Sequence, residues 1–214
     1  PDASDAPVGE LAREEASPAA ELLARAFRDN PLNVAAIGTG TSAERRLRCN
    51  RASMRNLLEV APGRALALAA RDGSRLAGVL VATPPLAWPL PPPSLLAQLR
   101  TLFVQGLGVA ERWRQVFEQL ERQRPAEAHW YLAALGVEPE LQGRGFGAAA
   151  LSAFVATSDA DDLPVWLETD RERNLRFYGR QGFQVEADLE VLGTRIWRLR
   201  REARTAVFRP PGLR

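Results

Sequence analysis

Apolar positions near the start of the chain recur at helical spacing. Val8 opens a short apolar and polar run over 8–13 that reads as a strand. Ser17-Pro18 then offers a cap followed by the favoured first helical residue, and Leu22, Leu23, Ala26 and Phe27 share one face, so a helix is predicted over 17–28. Asn30-Pro31 should stop it, because the residue before a proline avoids the helical region. A second helix is expected over 41–60, from a Thr41 or Ser42 cap to Pro62-Gly63.

The period then shortens. Segments 65–70 and 76–83 are apolar and partly alternating around an Asp72-Gly73 turn signal, which predicts a hairpin. Repeated prolines over 84–93 rule out ladder pairing and read as a stiff connector. An amphipathic helical stretch follows over 94–124, interrupted near Gly106 and Gly108. Beyond it the pattern predicts a strand over 129–137, a helix over 143–157, a strand over 165–169, a helix over 171–181, and two strands within 183–200 around Leu192-Gly193-Thr194. The expected fold class is α/β: a mixed sheet with helices on both faces, N-terminal helices and a C-terminal hairpin. With 214 residues, one domain over 1–200 is expected, carrying a helical insert at about 84–127 and a basic tail over 201–214.

Composition narrows the function classes. There is no lysine: the 28 Lys and Arg positions are all arginine, which never titrates away, and against 26 Asp and Glu they leave a formal net charge of only +2. The arginines are interleaved with acids, as in Arg171-Glu172-Arg173, and no aromatic-studded basic stripe occurs, so no nucleic-acid partner is expected. No apolar run approaches the roughly 20 residues of a membrane-spanning helix, so no membrane partner is expected either. Cys49 is the single cysteine, which forbids an internal disulfide and leads us to expect a cytoplasmic location. No metal site is expected.

The chemistry concentrates after the strand at 129–137. Gln142-Gly143-Arg144-Gly145-Phe146-Gly147 opens a helix that continues with Ala148. The first amides of a helix lack partners and carry the positive end of its dipole, so an anion docks there, and alternating glycines let a bulky diphosphate approach. Arg144 adds a cation. Gly143, Gly145 and Ala148 also fit a dinucleotide fingerprint, with Glu168 in the place of its ribose-binding acid. Against that, Glu138-Pro139-Glu140-Leu141 separates strand from turn, and the chain after Glu168 ends in a hairpin instead of further parallel units. A Walker loop would need a lysine.

Gln142-x-x-Gly145-x-Gly147 after Ala134-Leu135-Gly136-Val137-x-Pro139 resembles the acyl-CoA signature of the GNAT superfamily of N-acetyltransferases. Asn174, Phe177-Tyr178 and Gly182-Phe183 resemble the motif that follows it in that superfamily, and the likeness spans about 128–200. The resemblance implies two parallel central strands that splay apart and an enzyme using acetyl-CoA or another short acyl-CoA. Leu135, Gly136 and Val137 would pair with the pantetheine arm. The amides of Gly143, Arg144, Gly145, Phe146, Gly147 and Ala148 would hold the pyrophosphate beside Gln142. Asn174 would touch the cofactor, and Tyr178 would protonate the departing thiolate. The acceptor would be a primary amine of a small molecule or peptide, and the assembly a monomer or homodimer. A noncatalytic acyl-CoA-binding module is the alternative from another class.

The general base stays open. Where related enzymes carry it, this chain has Tyr131 or Ala133. His129 shares their face if no bulge intervenes, and Glu168 at the end of the next strand is the competitor. Asp29 reads as a turn residue or an amine-holding acid, while Trp88, Phe103 and Trp113 suggest an apolar lid over the acceptor.

Overall fold

The structure, a computed structural model, describes residues 6–85, 87 and 89–204. Strand β1 (Val8–Glu10) is shorter than the pattern suggests, because a 3-10 turn over Arg13–Glu15 carries the chain into α1 (Ala16–Phe27). The capping group is also not Ser17. The Glu15 carboxylate accepts the Ala12 N–H at 2.9 Å and an Arg71 N–H at 2.7 Å. Asn30-Pro31 does more than stop a helix: it begins α2 (Pro31–Ile37), because a fixed φ and a missing N–H suit the first helical position as well as they oppose continuation. In α3 (Ala43–Val60), Ser42 is the cap, its hydroxyl accepting the Arg45 N–H at 3.3 Å.

The hairpin forms as β2 (Leu66–Asp72) and β3 (Arg75–Thr83), with Gly73 supplying the positive φ that the two-residue turn requires. The insert folds as α4 (Leu95–Gln105) and α5 (Leu107–Arg122), broken at Gly106, whose φ is +83°, while Gly108 lies inside α5. The remaining elements are β4 (Trp130–Val137), α6 (Phe146–Ala160), β5 (Val165–Thr169), α7 (Arg173–Arg180), β6 (Gln184–Val191) and β7 (Thr194–Arg201). Arg201, the first residue of the expected basic tail, is buried at the end of β7. Its guanidinium grips Asp159 at 2.7 and 2.8 Å, so the last strand is anchored to α6.

The sheet has the order β1-β2-β3-β4-β5-β7-β6 and is antiparallel except between β4 and β5. Helix α6 covers one face, where Phe146, Leu151 and Phe154 meet Leu80, Leu132 and Leu167. Helices α1 and α3 cover the other, where Leu22, Leu23 and Leu58 meet Val79, Val81 and Ala134. Helix α5 continues that second layer, with Val116 buried against Val191 and Ile196. No helix among the described residues is long and apolar enough to cross a membrane.

Two features of β4 create the site. Its parallel pairing with β5 lasts only for Trp130 with Val165 and Tyr131 with Trp166, while β5 pairs with β7 along its whole length. Held from its far side, β5 diverges, and the edge of β4 from Leu132 onward has no strand partner. The second feature is a bulge. Val81 pairs with Ala134 and Ala82 with Leu132, which leaves Ala133 as an extra residue. The bulge reverses the side-chain parity: Trp130 and Leu132 point to α6, whereas Ala134 and Gly136 point to α1, and Leu135 and Val137 cross to the α6 side. The expectation that His129, Tyr131 and Ala133 share one continuous face therefore fails at Ala133.

Candidate active site

The diverging strands open into a cavity of about 1450 Å³. That exceeds the roughly 300–1,000 Å³ of an ordinary ligand pocket and leaves room for two reactants. One wall is the open edge of β4 with Leu135, Gly136 and Val137; another is the glycine turn with the first turn of α6; a third is the β5 end and α7. The opposite half is walled by α2, α3, α4 and α5, including Leu32, Met54, Leu57, Leu102 and Trp113. Trp88 lies outside the described residues. Phe103 points to solvent at 92% exposure and does not line the cavity, because its face of α4 turns away from the sheet.

Helix α6 begins at Phe146, three residues later than its glycine-rich sequence suggests, because Gly143 and Gly145 adopt φ of +78° and +100°. Those values belong to the left-handed region, where a Cβ is strained. The first α-helical bond runs from the Ala149 N–H to the Gly145 carbonyl at 2.9 Å, so the amides of Phe146, Gly147 and Ala148 precede the ladder and face the cavity end. A Cβ on Gly147 would come within 3.2 Å of Val137, which is why α6 can lie close to β4 there. The Gln142 side-chain amide donates to the Val137 carbonyl at 3.2 Å and ties the turn to the strand. Arg144 leans over the Phe146 ring and sits 3.6 Å from Asp72, so its charge is shared with the β2–β3 turn. Arg171, Arg173 and Arg180 also line the cavity, giving this side a positive bias.

Asn174 donates to the Thr169 hydroxyl at 2.9 Å and so clasps the β5–α7 turn while lining the cavity. Tyr178 is buried between Phe177 and Phe183, with ring centroids 5.0 and 5.7 Å away. Burial first, and the nearby charge of Asp170 second, push its hydroxyl well above the ordinary phenol range. The phenol therefore holds its proton at neutral pH and can give it to an anion forming in the cavity.

The two candidate bases fare differently from expectation. His129 precedes β4 at the level where β4 and β5 are still paired, so it lies outside the cavity. Its Nδ1 is 2.7 Å from the Glu127 carbonyl and its ring stands edge-on to Trp166, beside a crevice of only about 20 Å³. The structure does not bring it together with Tyr178. Glu168 does line the cavity, but both its oxygens have strong partners: the Tyr131 hydroxyl at 2.7 Å and Arg198 Nε at 2.9 Å. Burial and the Glu168 charge hold the Tyr131 phenol far above its usual range, so it stays a donor. Asp29 is also engaged, its carboxylate bonded to Arg28 at 2.6 Å and Arg46 at 2.8 Å, outside the cavity.

Sequence reading missed Asp170. It lines the cavity at the end of β5, accepting the Leu32 N–H at 2.8 Å and an Asn30 amide N–H at 3.4 Å. Burial raises its pKa above the usual aspartate value, partly offset by the Leu32 bond and by Arg171. The signal was present in the period of two, since Glu168 and Asp170 have the same parity. Among the described residues no group of three or more His, Cys, Asp or Glu side chains is placed to hold a metal ion.

The family model described as acetyltransferase (GNAT) matches residues 39–183, well over half of the chain. Among solved structures, a histone acetyltransferase HPA2 and related acetyltransferase from Corynebacterium glutamicum is similar at a TM-score of 0.70 and 18% identity, over 94% of this chain and 98% of the other. A polyamine N-acetyltransferase from Drosophila melanogaster gives 0.63 at 16% identity, over 92% and 99%. The PaiA N-acetyltransferase from Thermoplasma acidophilum, solved in complex with coenzyme A, gives 0.57 at 15% identity, over 92% and 98%.

Proposed function

Because the chain belongs to the acetyltransferase (GNAT) family and is therefore an enzyme of the acyl-CoA-using kind, we propose that it transfers an acetyl or other short acyl group to a primary amine by direct attack. One observation carries this reading: the unpaired edge of β4 runs toward the unpaired first amides of α6, with the buried, protonated Tyr178 lining the same cavity.

The residues present suit acyl-CoA. Amides at Phe146, Gly147 and Ala148 offer donors for a pyrophosphate, and open space in front of Gly143 leaves it unobstructed. The β5-facing edge of β4 around Leu135 and Val137 has no strand partner, so its backbone groups, apart from the Val137 carbonyl held by Gln142, would pair with the amide-bearing pantetheine arm in the manner of an added strand, with Gly136 between them. Asn174 would contact the same arm from α7. When bound, acyl-CoA supplies an activated carbonyl and a sulfur leaving group. The backbone freed by the bulge at Ala133 would then face the oxygen on which charge develops, and Tyr178 would protonate the sulfur. The amine enters from the half of the cavity walled by α2, α3 and α5.

Calorimetric titration with acetyl-CoA tests this reading, with NADH as the control. Saturable one-site binding is expected, with no response to NADH. Gly145→Glu should abolish binding, since it places a side chain and a negative charge at a φ of +100° on the first turn of α6. Absence of acetyl-CoA binding at millimolar concentrations would overturn the reading.

A further inference from the structure

We propose that Asp170 receives the acceptor's ammonium group and takes its proton, and that the acceptor is a monoamine carried on an apolar body. This deepens the acyl-transfer reading and rests on it. Glu168 and Asp170 are the only carboxylates among the described residues lining the cavity. Glu168 is already neutralised by Arg198. Asp170 makes no ion pair among the described residues, although arginines are plentiful. Its neighbour Arg171 turns away and donates to the Asp29 carbonyl at 2.6 Å. What holds Asp170 in place is neutral: the Leu32 N–H and the Asn30 amide. A half-buried carboxylate kept without a cation is unfavourable in the free protein, and a ligand that brings the cation removes that penalty.

The surroundings define the rest of the acceptor. The half of the cavity beyond Asp170 presents Leu32, Met54, Leu57, Trp113, Phe117 and Ile196, interspersed with neutral polar side chains of α3 and α4. A single ammonium meets its counter-charge at Asp170 while its carbon body lies on these side chains. A second ammonium would find no carboxylate among the described residues of that half: its polar groups, Asn50, Ser53, Asn56, Gln98, Thr101 and Gln105, are neutral, and its one charged side chain, Arg114, carries a like charge.

The step balances. The ammonium gives one proton to the Asp170 carboxylate, and the nitrogen lone pair so released forms the C–N bond as the thioester C–S bond breaks. Tyr178 gives its proton to sulfur and regains the one that nitrogen sheds on becoming an amide. Asp170 then releases its proton to solvent, which restores both groups.

Hexylamine and 1,6-diaminohexane, matched in carbon chain, are the probes, and Asp170→Asn is the variant. The asparagine keeps an oxygen for the Leu32 N–H, so the variant should melt no lower than the parent and should bind acetyl-CoA equally well by calorimetry. Hexylamine should raise the melting temperature of the parent without any acyl-CoA and leave the variant unchanged. The variant should lose at least about a hundredfold in kcat/KM for hexylamine, within the usual worth of a positioned base. The parent should prefer hexylamine over the diamine by at least about tenfold.

Loss of acetyl-CoA binding in the parent would sink the underlying acyl-transfer reading. With that binding intact, a variant within about threefold of the parent would overturn the role of Asp170. Equal or better use of the diamine would overturn the substrate class. Should the variant fail to fold, the pH dependence of hexylamine binding by the parent decides the matter. The charged and titratable groups near Asp170 are Arg171 beside it, Tyr178 and Arg173 on α7, and Glu168 on β5, while α2 contributes only the Leu32 N–H and the Asn30 amide precedes it. Hexylamine is cationic throughout the range tested, so its affinity should rise with pH as Asp170 ionises and then level off. Affinity independent of pH between about 4 and 8 would overturn the proposal.

Discussion

Arg198 is 5% exposed and its partner Glu168 is 11% exposed, so this pair is withdrawn from water in a way that most ion pairs of this chain are not. The arginine also donates to the carbonyls of Leu120 at 3.0 Å and of Gln123, at the C-terminal end of α5. Replacing Arg198 by Met keeps much of the stem's volume and removes the charge. Among the described residues, Glu168 would then be a buried anion with the Tyr131 hydroxyl as its remaining hydrogen-bond donor. Breaking one side of a buried pair costs about 3–5 kcal/mol. In a chain of this size that is a fall in Tm of roughly 6–20 °C. Pairing the change with Glu168→Gln should recover part of the loss, because no uncompensated charge remains. Urea unfolding of the parent, both single variants and the double variant gives the coupling energy, expected to be at least about 1.5 kcal/mol. If Arg198→Met cost less than about 1 kcal/mol and the two changes added independently, the pair would behave like a surface bridge and the reasoning would fail.

Other consequences can be measured with equal directness. Gly136→Ala would bring a Cβ to 2.8 Å from Leu23 and 3.0 Å from Ala26, forcing α1 off β4; the expected loss is about 1–3 kcal/mol by urea unfolding, and an unchanged midpoint would contradict the packing described. Tyr178→Phe should lower kcat by about 10²–10⁴-fold while acetyl-CoA affinity by calorimetry stays near that of the parent, whereas an intact kcat would remove the phenol from the reaction. The Arg201 guanidinium holds the Asp159 carboxyl below its ordinary pKa, so the stability this pair contributes is present above the unfolded aspartate pKa and is lost as pH falls through the lowered one. Asp159→Asn should therefore be less stable than the parent at neutral pH, and the gap between their melting temperatures should narrow toward acid; a constant gap would refute that linkage.

Much of the architecture was legible because it is locally encoded. β5 runs over Val165–Thr169 as its alternation predicts, the Asp72-Gly73 turn closes β2 on β3, and the glycines after β4 place the first turn of α6 beside the cavity. Turn chemistry and side-chain period act over a few residues, so a single chain displays them. The same shortness of range made Asn30-Pro31 ambiguous, since it ends one helix and starts another by the same geometry.

What tertiary structure alone decided is which groups meet. The bulge at Ala133 exists because β3 and β4 must pair in a register that no residue of β4 announces, and it separates residues that alternation would place together. His129 has the side chain of a base, but β5 is still paired with β4 at its level, so it stays outside the cavity. Glu168 has its oxygens claimed by Tyr131, 37 residues earlier, and by Arg198, 30 residues later, whereas Asp170, two positions on, accepts hydrogen bonds only from neutral donors among the described residues. Residue type and spacing give the chemistry each side chain can perform. Whether it remains free to perform it depends on burial and on charges brought from distant parts of the chain, and those are settled only when the elements pack.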